Sequence, residues 1–549
     1  MAIELNKKHL ILILSLLLLG SYTYFTGLNS YALQSFDEGW YAVMSQSVIE
    51  DGNVLNLQTY DWTNQEIDEQ FLIPPLFIWV QSISLLLFGY SELAVRIPSA
   101  MSAVTISIII YWMGCEQLNE RSAWIAGLSW LSYPVLFASS GPRQGVEDVF
   151  FALLGTLWVY TTYKVVDDNE PAWMLPAGFF AGLTMLTKGF NAAVFLLVLL
   201  PLILRNRQLF FDYRHMSTSL GLAALIGGFW PTMMWWQHGY TVIDEFFVKQ
   251  VVNRVTLQTA GDPLINVLSY PFLKKGATYL DPHIWFILPV SGWLLFSYLQ
   301  DSGERWHNFI LWWFLSFCLA FFPTANHFHY IIPGLIPASL LIGILFDKSL
   351  DTEPTALTLT ITGIVIIFSI SPTYGVFSPL PRALLWENPP TNQFFGRVGV
   401  SLLGAILVFQ STAAKIQSYL SSKIPWAVTI ATITFLVGLL LTPATGPGRI
   451  EQKQAGQYIQ ESSNKDALIH VVENDGVAFH SFVFYANRKT APTTISEINQ
   501  NRSIKYAIVP TNQTSKVERQ ISNRKTLKWV DYHYHLLSLQ SSQINSPSA

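Results

Sequence analysis

Phe36-Asp37-Glu38-Gly39-Trp40-Tyr41-Ala42 opens a stretch that runs through Gln70-Phe71-Leu72-Ile73-Pro74-Pro75-Leu76-Phe77-Ile78-Trp79 and closes at Arg96-Ile97-Pro98-Ser99-Ala100. From Asn29 to Ile73 it carries eight acids (Asp37, Glu38, Glu50, Asp51, Asp61, Glu66, Asp68 and Glu69) and no Lys or Arg. Apolar runs flank it on both sides. Hydrocarbon excludes charged side chains and unpaired backbone, so this acidic, Pro-bounded segment belongs at a membrane surface.

Working outward, the whole chain reads as a polytopic membrane protein. Hydrophobic residues make up 51% of its 549 positions and charged residues 12%, about half the charged share of a soluble domain. Nineteen Trp, 23 Tyr and 36 Phe supply material for interfacial belts. Apolar runs predict spans at 10–27, 97–115, 122–139, 149–166, 173–187, 190–204, 217–236, 283–299, 308–323, 330–346, 355–371, 398–410 and 425–442. The run from Leu10 to Leu19 follows Lys7 and Lys8 but lacks a small-x-small cleavage site, which makes it an uncleaved first span. Cys115 and Cys318 lie far apart in apolar runs, which excludes a disulfide framework or a Cys-based metal site.

The segment from Pro74 to Gly89 is too short to cross the roughly 20 residues' worth of hydrocarbon and reads as an in-plane helix. With that choice Lys7, Lys8, Arg121, Lys164, Arg205, Arg207, Arg214, Arg305, Lys348, Lys415 and Lys423 share one side, as the positive-inside rule requires of a cytoplasmic face. The acidic segment, the 140–147 and 237–282 loops and the tail then share the extracytoplasmic face of a plasma (inner) membrane. After Pro443, Gly446, Pro447 and Gly448 the composition turns soluble. Two domains follow: 1–448, transmembrane, with a first extracytoplasmic loop at 29–96, and 449–549, a small α/β domain. In the latter Glu451 to Gln460 reads as helix, and Ala467 to Val472, Ser481 to Tyr485 and Ile504 to Val509 read as strands. The tail holds 12 bases against 8 acids, a balance that points to no nucleic-acid partner.

Several groups on the outer face have two readings. Asp37-Glu38 is either a solvated turn or a carboxylate at a water-lipid boundary able to act as general base toward a hydroxyl. Glu147-Asp148 is either an interfacial cap or a second acidic site position, with Arg143 five residues before Asp148 suited to a phosphate oxygen. Lys188, in Thr187-Lys188-Gly189, either snorkels to head groups or meets an anionic lipid phosphate. The 237–282 loop holds Lys249, Arg254, Lys274 and Lys275, and Asn326-His327-Phe328-His329-Tyr330 opens the next span on that side. His327 and His329, at i and i+2, do not share a helical face, which argues against a metal pair.

These residues resemble, in order and spacing, the lipid-dependent glycosyltransferases of the GT-C superfamily, in the branch of bacterial aminoarabinose transferases and protein mannosyltransferases. Asp37-Glu38-Gly39-Trp40-Tyr41 is similar to that family's first acidic motif. Pro74-Pro75-Leu76 with Trp79, Phe88-Gly89, Ser91-Glu92 and Arg96-Ile97-Pro98-Ser99-Ala100 resemble its next block. Arg143 to Asp148, Leu186-Thr187-Lys188-Gly189 and His329-Tyr330-Ile331-Ile332-Pro333 resemble later ones, and the tail is similar in outline through Phe484-Tyr485 and Arg488.

The resemblance implies a polytopic α-helical membrane protein of GT-C type with about thirteen transmembrane helices, in-plane helices in the first loop, and the small C-terminal soluble α/β domain. It implies inverting transfer of a sugar from a polyprenyl-phosphate-sugar donor to an acceptor hydroxyl on a lipid, glycan or protein. Carried over by position, Asp37 is the base and Asp148 a second catalytic acid. Glu38, Tyr41, Arg143, Lys188 and Arg254 bind donor and phosphate, and His327, His329 and Tyr330 line the site. Membrane lipids are the other partner. Two departures stand out: Ile73 occupies the place where relatives often have Lys before the Pro-Pro pair, and the His that precedes Arg254 in metal-binding relatives is missing. No metal or other cofactor is therefore predicted. A lipid-linked-sugar transporter would instead spread ionisable groups through the bilayer midplane. A non-catalytic sugar-lipid binding factor would keep the fold without the reaction, an idea supported only by Ile73.

Overall fold

A computed structural model describes residues 7–34, 37–52, 54–57, 73–137, 140–210, 212–243, 284–299, 304–321, 328–351, 449–472, 479–501, 504–510, 525–531 and 534–539. The chain divides into two compact units, one of Met1–Thr26, Ser99–Arg143 and Glu147–Ala444, the other of Gly27–Pro98, Gln144–Val146 and Thr445–Ala549. The main helices in chain order are α1 Lys7–Phe25, α2 Asp37–Asp51, α3 Leu76–Phe88, α4 Glu92–Cys115, α5 Glu120–Leu131, α6 Asp148–Asp167, α7 Met174–Lys188, α8 Ala193–Arg205, α9 Tyr213–His238, α10 Ile284–Leu299, α11 Arg305–Phe321, α12 Leu335–Asp351, α13 Ile450–Ser462, α14 His480–Ala486 and α15 Ile495–Gln500.

Five helical stretches among the described residues are long and apolar enough to cross a membrane: Lys7–Phe25, Glu92–Cys115, Asp148–Asp167, Pro171–Arg205 and His329–Asp347. The run expected to span 122–139 is a shorter helix, because α5 stops at Leu131 and a 3-10 turn follows at Pro134–Phe137. Proline lacks the amide that would continue the helix and disfavours helical backbone in the residue before it. The two runs expected at 173–187 and 190–204 form one 35-residue stretch, Pro171–Arg205, broken where Gly189 adopts φ of 55°. The runs expected at 355–371, 398–410 and 425–442 lie outside the described residues.

In the first unit α7 lies against α9 through two small residues spaced four apart. A Cβ on Gly178 would come within 2.3 Å of the Ser219 carbonyl oxygen, and one on Gly182 within 2.7 Å of Ile226 Cβ. Such close backbone approach is how helices gain packing where lipid offers no hydrophobic contrast. Beside α6, Phe195 is fully buried and its ring lies where a side chain on Gly155 would be, with Phe151, Trp158 and Phe317 around it at centroid distances of 5.4, 6.0 and 5.3 Å.

The second unit holds a mixed five-stranded sheet of order β2-β1-β3-β5-β4, with β1 Ile469–Val472, β2 Thr490–Thr493, β3 Tyr506–Pro510, β4 Lys525–Asp531 and β5 Tyr534–Ser538. The pairs β1/β2 and β1/β3 are parallel, with Ile469 opposite Thr490 and His470 opposite Ala507. The pairs β3/β5 and β4/β5 are antiparallel. This sheet does not pack alone: Ala32, Leu33, Ala42, Val43, Leu85, Ala94 and Val95 from the N-terminal part of the unit share one core with Ala455, Ile459, Phe482 and Tyr485 of the tail. Residues 481–485, expected as a strand for their β-branched and aromatic content, are helical in α14. Every residue from Ser481 to Ala486 is buried there, and Asn487 ends the helix in the left-handed conformation. Packing on all sides overrides a local strand preference worth only ~1 kcal/mol.

Candidate active site

Asp37 and Glu38 are the first two residues of α2, where a carboxylate faces the positive end of the helix dipole. Their surroundings are opposite. Asp37 is exposed. Glu38 is only 1% exposed. Its Oε1 accepts from Arg96 Nε at 2.6 Å and from the Gly145 amide at 3.0 Å, and its Oε2 accepts from Arg96 Nη2 at 3.0 Å and from the Gln34 amide at 2.8 Å. The Arg96 guanidinium also donates to the carbonyls of Leu28 (2.6 Å), Tyr31 (3.0 Å) and Ala32 (3.2 Å) and lies 3.8 Å above the Tyr31 ring.

A buried ion pair offsets its desolvation only when its remaining lone pairs and protons are satisfied, as they are here. Glu38 is a strut between the entry to α2, the start of α4 and the Gly145 turn. That corrects its expected contact with a donor phosphate: four internal donors fill its oxygens, and a carboxylate would repel phosphate in any case. Tyr41, also expected to meet the donor, is 4% exposed, with its ring stacked on Trp40 at 5.5 Å and edge-on to Phe77 at 6.0 Å.

In the first unit a second acidic pair opens a helix. Asp148 begins α6, with Glu147 just before it, and Lys188 ends α7, where a cation suits the carbonyl end of the dipole. Lys188 Nζ lies 2.5 Å from Asp148 Oδ1 and 3.0 Å from Glu147 Oε1, and 5.4 and 5.9 Å from the ring centroids of Tyr330 and Phe151. The other oxygen of Glu147, Oε2, is buried and has no hydrogen-bond partner among the described residues. One ammonium thus bridges two carboxylates, and Lys188 holds both acids in place. His329 stacks edge-on with Tyr330 at 4.6 Å.

Arg143 is buried, donating from Nη1 to the Thr23 carbonyl at 2.7 Å and from Nη2 to the Thr26 carbonyl at 2.6 Å. It thus satisfies carbonyls at the end of α1 that have no amide partner further along the helix. Arg254 and His327 lie outside the described residues, and among the described residues no group of three or more His, Cys, Asp or Glu could hold a metal ion.

Sequence reasoning singled out Asp37, Asp148 and Lys188 but not the part played by Arg96. The signal was present: Arg96 is the only Lys or Arg between Lys8 and Arg121, in a region otherwise charged by acids alone. A lone buried cation of that kind has to find a carboxylate.

Residues 73–235 match the profile of a family described as dolichyl-phosphate-mannose-protein mannosyltransferase. An uncharacterized protein of Aquifex aeolicus is 26% identical over 301 residues, which is 52% of this chain and 69% of the relative. An undecaprenyl phosphate-alpha-4-amino-4-deoxy-L-arabinose arabinosyl transferase of Yersinia pestis is 25% identical over 342 residues, 58% of this chain and 56% of the relative. The chain thus spans little more than half the length of that named relative. The crystal structure of ArnT from Cupriavidus metallidurans bound to undecaprenyl phosphate superposes with a TM-score of 0.64 at 15% identity, covering 98% of this chain and 99% of that one. In sequence over part of its length and in fold over nearly all of it, the chain is similar to membrane glycosyltransferases of the aminoarabinose-transferase type.

Proposed function

We propose that this protein transfers a sugar from a polyprenyl-phosphate carrier to an acceptor hydroxyl at the extracytoplasmic face of the inner membrane, with Asp37 as the general base. The observation that carries the reading is the asymmetry at the head of α2: Glu38 is buried and saturated, while Asp37 beside it is exposed. A carboxylate that holds the fold and a carboxylate that can meet a substrate stand next to each other on one turn.

In the proposed step the acceptor oxygen attacks the anomeric carbon as the bond from that carbon to the phosphate oxygen breaks. The hydroxyl proton passes to the Asp37 carboxylate, and polyprenyl phosphate leaves with the bonding electrons. A single displacement of this kind inverts the anomeric centre. General-base help of this sort contributes about 10²- to 10⁴-fold. Asp148, oriented by its contact with Lys188, is proposed as a second acid in the reaction. The departing phosphate needs cations that Lys188 and Arg143, both engaged, supply poorly, and Arg254 is the proposed source. The acceptor is a lipid, a glycan or a protein side chain. Thirteen spans, with the acidic loop and the tail on the outer face, complete the reading.

The test uses the purified full chain in proteoliposomes with a panel of polyprenyl-phosphate sugars and extracted envelope acceptors. Acceptor product from the wild type, lost in Asp37→Asn at equal protein, supports the assignment. Movement of labelled donor across the bilayer without any acceptor product would replace it with transport.

A further inference from the structure

The two residues that lead into the acidic turn are held by the far end of the chain. The Leu33 amide donates to the hydroxyl of Tyr485, 452 residues downstream, at 2.9 Å. The Leu33 carbonyl accepts from the Ser481 hydroxyl at 3.1 Å and from the Arg449 amide at 3.2 Å. Ser481 Oγ also lies 3.0 Å from the Gln34 carbonyl, which accepts from the Gly39 amide at 2.9 Å as well, while the Gln34 amide is taken by Glu38. All four backbone groups of Leu33 and Gln34 are therefore bonded, and two bonds, Gln34 to Glu38 and Gly39 to Gln34, close a ring of chain that contains Asp37.

Tyr485 is tied in its turn, since its hydroxyl donates to Glu92 Oε1 at 2.9 Å and Lys453 pairs with the same carboxylate. Burial beside the Glu92 carboxylate pushes the Tyr485 phenol well above its ordinary pKa, so it remains a donor across any working pH. The fit is tight enough to dictate a residue. A Cβ on Gly39 would lie 2.7 Å from the Gln34 carbonyl oxygen, 3.0 Å from the Ser481 nitrogen and 3.1 Å from its Oγ.

We propose that α14 of the C-terminal domain is a positioning element for sugar transfer: Ser481 and Tyr485 clamp Leu33 and Gln34 and so fix the turn that carries Asp37. The inference rests on Asp37 being the base. A core contact alone would not need two side-chain hydroxyls aimed at backbone groups just ahead of that residue. The domain then completes the catalytic turn from the other end of the sequence.

The experiment compares the full-length wild type with Ser481→Ala, Tyr485→Phe and the pair, by amide hydrogen exchange and by transfer kinetics. We expect exchange at residues 33–39 to rise at least tenfold while the amides of β1 and β3 keep their protection. Because small misplacements of a reacting group are costly, kcat should fall about tenfold or more, with the KM for donor within about twofold. Unchanged exchange at 33–39 would overturn the clamp. Raised exchange with unchanged kcat, or a loss confined to KM, would overturn its part in positioning Asp37. Should the pair fail to fold, the single variants give the same two readouts. A wild type without any transfer would remove the proposed function itself, and the exchange data would still judge the clamp.

Discussion

Two acidic pairs, Asp37-Glu38 in one unit and Glu147-Asp148 in the other, each open a helix, and each solves the problem of neighbouring like charges differently. At the first, Arg96 takes Glu38 into the interior with every lone pair used, and Asp37 is left at the surface. At the second, a single Lys188 bridges both carboxylates and all three groups are largely buried. The difference sets two arrangements apart: a saturated strut beside an exposed carboxylate, and one cation shared by two carboxylates.

The largest break in this comparison should come from Arg96→Met. It leaves Glu38 buried without its cation, and removing one partner of such a pair costs about 3–5 kcal/mol. The expected result is a sharp fall in the monodisperse fraction and in melting temperature, partly regained when Glu38→Gln is added. No change in stability would mean that the strut carries nothing.

Lys188→Met should act more moderately. Glu147 and Asp148 would face each other with no cation, and turnover should fall at least about tenfold, equivalent to ~1.4 kcal/mol in the barrier. Lys188→Arg should recover part of it, because a guanidinium can also bridge two carboxylates. Transfer assays on the three proteins at matched expression decide the point, and an unaffected Met variant would remove the cluster from the mechanism.

The smallest effect belongs to a surface pair in the second unit. The hydrogen bond from Lys465 holds the Glu50 carboxyl below its ordinary range, Tyr90 adding a second, and Glu50 in turn raises Lys465. A carboxylate depressed in the folded state stabilises above its unfolded pKa and loses that contribution as pH falls through the lower folded value. The difference in melting temperature between wild type and Glu50→Gln should therefore be slight near neutrality and vanish on acidification below the carboxylate range. A difference that grew on acidification would reverse the sign of the account.

The placement of the candidate residues was legible in part, because helix ends show in the one-dimensional pattern: a run of acids without bases, Asp148 ahead of an apolar run, and Lys188 before Gly189 all mark them. What escaped was long-range partnership. Nothing local says that Glu38 and not Asp37 is the buried member, since that depends on Arg96, 58 residues on, and on an amide at Gly145. Nor does the composition of 481–485 reveal a helix, because its burial is set by residues at both ends of the chain. The reading of 122–139 as one continuous span failed on Pro134, a local signal outweighed by hydropathy.

The central claim is that the two adjoining carboxylates of α2 do different work, and a paired measurement on Asp37→Asn and Glu38→Gln addresses it directly: single-turnover sugar transfer and melting temperature on the same preparations. The account predicts that Asp37→Asn loses about 10²- to 10⁴-fold in rate at unchanged melting temperature, while Glu38→Gln melts early. Near-normal transfer by Asp37→Asn would contradict it.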